Sequence, residues 1–131
     1  MTKATLSQQA GVIEVQPEQW LPFLAQFTIE NRGAHARLNV LGPDVGYQVE
    51  IEDRPFDGIA ADVKDHPPSV WITFASTPSD HLAHGVHDVT VIRVLPPTAA
   101  KGAVVEVEAK DGVRTILELT NPDEYALAPA D

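Results

Sequence analysis

Trp20, Phe23, Leu24 and Phe27 recur at i, i+3, i+4 and i+7, which places all four on one face of a helix turning every 3.6 residues. Glu18 and Gln19 lie just ahead of the stripe, where the positive end of a helix dipole favours an acid. Pro22 falls in the first turn, whose amides have no intrahelical bond to lose. The pattern therefore predicts an amphipathic helix from near Glu18. Gly33, behind Asn31 and Arg32, is its left-handed stop.

Beyond Gly33 the period falls from 3.6 to 2. Ala36, Leu38 and Val40 alternate with polar neighbours, and Gly42-Pro43-Asp44 marks a turn. Val45, Tyr47, Val49 and Ile51 alternate with Gly46, Gln48, Glu50 and Glu52, the pattern of a half-buried strand. After Asp57-Gly58 comes a weaker strand, Ile59 to Val63, which runs into a loop at Lys64-Asp65-His66-Pro67-Pro68. Val70, Ile72 and Phe74 make the buried face of the next strand, which sends Trp71 and Thr73 to the other side. Thr77-Pro78-Ser79-Asp80 reads as a helix start, with threonine as the cap, proline at the first helical position and an acid behind it. That predicts a short helix over 78–84, stopped by Gly85. Val89–Leu95, Ala103–Ala109 and Val113–Leu119 read as strands, the last two joined by the hairpin dipeptide Asp111-Gly112. Gly11 to Val15 reads as a short edge strand or an extended lead-in. Residues 1–11 and 121–131 read as polar, flexible ends on one domain with an ordered core of about 12–120.

The expected fold class is α+β: a twisted, mostly antiparallel sheet of six or seven strands, curled toward a barrel. The N-terminal helix packs on it, accompanied by one short helix. Parallel crossovers are not expected, because no long helical segment separates the later strands.

Composition narrows the function classes. The chain has 131 residues, 44% of them hydrophobic, enough for one core without staples. It has no cysteine, which excludes disulfides, thiolate metal sites and a cysteine nucleophile. Nine Lys and Arg face nineteen Asp and Glu, a net charge of -10, so nucleic acid and anionic membranes are not expected partners. Apolar runs are short and the N-terminus lacks the hydrophobic core of a secretory signal. The expectation is a cytoplasmic protein.

The one concentrated set of potential ligands is Asp80-His81-Leu82-Ala83-His84-Gly85-Val86-His87-Asp88. On a helix, His81 and His84 are neighbours and can share a divalent ion, with Asp62 or Asp65 completing the three protein ligands a catalytic zinc usually has. The plainer reading is structural, with Asp80 stabilising a helix start and His84 interacting with the last turn. A serine–histidine–carboxylate triad could draw on Ser69, Ser76 or Ser79, but no G-x-S-x-G elbow is present. No glycine-rich phosphate loop occurs either. An outward Trp71 is either covered by a second layer or marks a ligand or dimer contact.

Five stretches resemble a family of small acidic bacterial proteins of unknown function. They are Pro17 to Phe27 (within it EQWxxFLxxF), Val45-Gly-Tyr-Gln-Val-Glu50, Gly58-Ile-Ala-Ala-Asp-Val-Lys64, Asp80-His-Leu-Ala-His84 and Asp111 to Leu117. The resemblance implies a single domain and no assigned activity or cofactor. Its polar motifs fall on Asp62, Lys64, Asp80, His81 and His84, and His87 departs from a position that is often serine there. Lys64 and Asp80 thus join Trp71 as a candidate interaction surface. The favoured function is a non-catalytic domain acting through a homodimer or other protein–protein surface. The alternative is a metal-binding protein or metal-dependent enzyme using His81, His84 and Asp62.

Overall fold

The computed structural model describes residues 10–44, 46–64, 66–77, 79–99 and 101–120, without the side chains of residues 76 and 77. The expectations for the two ends, for Val45 and for Asp65 thus fall wholly or mainly outside the described residues. Eight strands and one α-helix follow in the order β1 (Ile13–Val15), α1 (Trp20–Asn31), β2 (His35–Gly42), β3 (Gly46–Asp62) and β4 (Ser69–Thr77), then β5 (Asp80–Val86), β6 (Val89–Leu95), β7 (Val104–Ala109) and β8 (Arg114–Leu119). The sheet order is β1-β6-β7-β8-β2-β3-β4-β5, and every neighbouring pair is antiparallel. The fold is therefore α+β, as the periodicity predicts. The sheet is open, with β1 and β5 at its two edges, and the expected curl toward a barrel is corrected: these edges do not pair.

A single 3-10 turn, Pro17–Gln19, leads into α1. Trp20, Leu24 and Phe27 are buried, and each such side chain contributes about 1.5–3 kcal/mol by leaving water. Phe27 meets Phe56 edge to face at 5.9 Å. The Trp20 indole donates to the Val15 carbonyl at 2.9 Å, which ties β1 to the helix start. Gly33, at φ +92°, ends the helical run as expected.

Three elements differ from the sequence reading. The strands expected over 45–52 and 59–63 are one strand, β3, of 17 residues. Its first part pairs with β2 and its second with β4, so it belongs to both halves of the sheet. Asp53 at φ 55° and a register shift at Phe56/Gly58 bend it between the two halves. Asp57-Gly58, expected ahead of a separate strand, is thus an irregularity within β3. The short helix over 78–84 is instead strand β5, whose residues pair with β4 from Thr77↔Asp80 to Val70↔Val86. Thr, Pro, Ser and Asp serve tight turns as readily as helix caps, and a two-turn helix is too short to compete with a full ladder of strand pairing. Among the described residues the strand count is consequently eight, not six or seven.

Where the second half of β3 leaves β2, α1 takes over its free side. The Thr28 hydroxyl donates to the Ile59 carbonyl and accepts from the Ile59 amide, both at 3.0 Å. Arg32 Nε donates to the Asp57 carbonyl at 3.0 Å. Gly33 N and Ala34 O bond Phe56 at 2.8 Å each. No helix among the described residues is long and apolar enough to cross a membrane.

Candidate functional site

Directly opposed residues of paired strands share a face, so the ladder sorts the β3–β4–β5 side chains. Val70, Ile72 and Phe74 are buried toward α1 and the core. Trp71 points away and is 42% exposed, beside Ala60 on β3 and Gly85 on β5, its ladder partners. Its indole lies across Gly85, and its centroid is 5.7 Å from the His87 ring, edge to face at 85°.

A cleft of about 470 Å³ adjoins this indole. One wall is the outward side of α1, with Ala25, Thr28, Ile29 and Arg32. The other is the outer face of β3 and β4, with Asp57, Ala60, Trp71 and Thr73. Ile29 at its rim is 71% exposed. Apolar side chains on both walls and a 3.9 Å Arg32–Asp57 pair beside them make a concave, mainly apolar surface with one charged corner.

The structure does not bring His81, His84 and Asp62 together. Three residues apart on a strand, His81 and His84 face opposite sides and stand roughly 10 Å apart along it. His81 shares the outer face with Ala75; His84 shares the inner face with Ile72. Asp62 lies at the far end of β3, opposite Ser69, and its Oδ1 accepts from the Lys64 amide at 3.1 Å. Asp80 is held by Arg54 at 3.0 Å, in a strand and not at a helix start. Among the described residues no group of three or more His, Cys, Asp or Glu converges to hold a metal ion. The helical geometry behind the shared-ion reading is thus replaced by a strand, and the same change removes the dipole role expected for His84. Burial lowers the His84 pKa below the usual imidazole value, while nearby Glu50 acts in the opposite direction.

Of the serines considered for a triad, Ser69 does meet a histidine: its Oγ is 3.0 Å from His87 Nδ1. Ser69 is only 2% exposed, so an incoming substrate cannot reach that oxygen. Ser79 is exposed at the β4–β5 turn, and the Ser76 side chain lies outside the described residues.

Sequence reasoning missed an ionic cluster on the outer face of β1, β6, β7 and β8. Glu106 is fully buried, and Arg93 Nη1 donates to it at 2.9 Å and to Glu108 at 2.8 Å. Arg114 Nε stands 3.4 Å from Glu108, and Glu14 is 4.0 Å from Arg93. The hydrogen bond from Arg93 to Glu108, followed by that to Glu106, raises the guanidinium pKa against its own desolvation. In the sequence, Glu106 and Glu108 alternate with valines and read as a wet face. Only the strand order reveals that β7 is central, where long neighbouring side chains cover Glu106.

No curated protein and no solved structure matches the chain. The model of a family of unknown function, DUF5335, matches residues 12–127, in keeping with the resemblance carried by the five motifs. Matched over most of its length, the chain belongs to DUF5335.

Proposed function

We propose that this protein is a non-catalytic contact domain that binds protein through the face displaying Trp71. The observation that carries this reading is the position of the indole. It is large, open to solvent and laid flat over a glycine, beside a cleft whose opposite rim presents Ile29. Tryptophan beside a shallow apolar cleft is the composition of an interface hot spot. The burial of Ser69, which shuts the serine–histidine pair from solvent, also favours binding over hydrolysis. Lys64 and Asp80 contribute less: Asp80 is paired with Arg54, and Lys64 is an exposed charge in the β3–β4 connection.

Sedimentation equilibrium on the wild type, Trp71→Ala and Ile29→Asp, from about 1 µM to about 1 mM, tests the reading. Reversible association is expected for the wild type, weakened at least about tenfold by Trp71→Ala. Association of equal strength in all three proteins would place the contact elsewhere and refute the reading.

A further inference from the structure

Strand edges that lack a strand neighbour among the described residues include β1, the second half of β3 on its β2 side, the first half of β3 on its β4 side, and β5. Unpaired edges recruit other chains unless they are short, charged, proline-blocked or covered. The edges other than β5 are managed in these ways, the first half of β3 by the charges of Glu50, Glu52 and Asp53. β1 has three residues, carries Glu14 near Arg93 and is followed by Pro17, which has no amide to offer. The second half of β3 is covered by α1 through Thr28 and Arg32. β5 has no such cover among the described residues and a single acid, Asp80, at its start. It runs for seven residues, contains no lysine and no proline, and has no described strand beyond it.

We infer that β5 pairs antiparallel with β5 of a second copy of this chain, joining two sheets about a two-fold axis. The inference rests on the reading of the Trp71 face as a contact surface and names its occupant. The strand is complementary to itself. A register centred on Ala83 sets Asp80 against Val86, His81 against Gly85 and Leu82 against His84, so no like charges meet directly. Its one carboxylate, Asp80, is already neutralised by Arg54 at 3.0 Å. That matters in a chain of net charge -10, in which unpaired carboxylates repel a second copy. The outer face fits as well. Gly85 leaves room for the Trp71 indole to extend toward the edge, and the register brings residue 81 of the second copy beside that indole. On the inner face, the exposed Leu82 gains a neighbour across the new ladder. The contact is isologous, so it closes at two copies.

Ala83 is exposed and would face itself on the axis, which makes it the position to test. Ala83→Lys and Ala83→Glu set like charges directly opposite each other, whereas an equimolar mixture sets lysine against glutamate. Light scattering on the full chain should give twice 14.2 kDa for the wild type. Each variant alone should dimerise at least about tenfold more weakly, and the mixture should recover a mixed dimer. Unchanged melting temperatures would show that the variants fold. A wild type that stays at 14.2 kDa up to about 1 mM overturns the inference and leaves the edge to a different protein. Variants as dimeric as the wild type, or a mixture that fails to recover, also overturn β5 pairing. If Trp71→Ala still dissociates such a dimer, the contact reading survives and only its geometry changes.

Discussion

A Cβ built on Gly85 would stand 2.7 Å from two carbons of the Trp71 indole, well inside the separation at which carbon atoms pack. Gly85→Ala should therefore push the ring off its preferred rotamer and away from His87. The expected destabilisation is about 1 kcal/mol, with a red-shifted Trp71 emission; an unchanged spectrum would mean that the indole does not rest there. Glu106 presents the opposite case, a fully buried charge that Arg93 meets at 2.9 Å. Arg93→Ala removes this cation from a buried carboxylate and should cost about 3–5 kcal/mol in urea unfolding. Glu106→Gln, which keeps a hydrogen-bonding group of the same size, should cost much less. Equal losses in the two variants would show that charge pairing is not what makes Arg93 important.

At the scale of elements, α1 acts both as core and as edge cover. Thr28→Val removes the two bonds to the Ile59 backbone while keeping the shape of the side chain. It should cost about 1–3 kcal/mol and speed hydrogen exchange at the Ile59 amide, whereas Thr28→Ser should restore protection. The parts of the fold visible in the sequence are those with one dominant signal. The Trp20–Phe27 stripe, the Gly33 stop, the Val89–Leu95 strand and the Asp111-Gly112 hairpin each had a periodicity or a turn residue without a rival. Asp111 Oδ1 indeed accepts from the Val113 amide at 3.0 Å. The 77–86 segment carried two signals. Thr-Pro-Ser-Asp suits a helix start, but Leu82, His84 and Val86 alternate with His81, Ala83 and Gly85 as a strand does. Pairing with β4 decides between them, and that is a contact distant in sequence. The histidine pair was misplaced for the same reason, since its spacing joins side chains on a helix and separates them on a strand. Trp71 was legible because its neighbours Val70 and Ile72 fixed its direction, whereas the burial of Glu106 follows from strand order alone.

Across the whole molecule, charge and topology act together. Glu50 of β3 lies close enough to act electrostatically on His84 of β5. Burial lowers the His84 pKa in the folded state, so as pH falls the unfolded chain takes up this proton first, and stability is lost as pH drops below the ordinary imidazole value. His84→Gln should flatten the fall in melting temperature between about pH 7 and about pH 5, and Glu50→Gln should steepen it. Parallel curves for the three proteins would rule out His84 as a source of the pH dependence.

The account as a whole holds that an open sheet leaves Trp71 uncovered beside its bare last strand, and that protein contact covers it. Incorporating 5-fluorotryptophan gives one fluorine resonance for the buried Trp20 and one for Trp71, and the shift of each on transfer to D2O measures its own exposure. The account predicts no solvent shift for Trp20 at any concentration. For Trp71 it predicts a clear shift in dilute solution that shrinks as concentration rises. A Trp71 resonance as insulated as Trp20 in dilute solution, or equally exposed at every concentration, would contradict it.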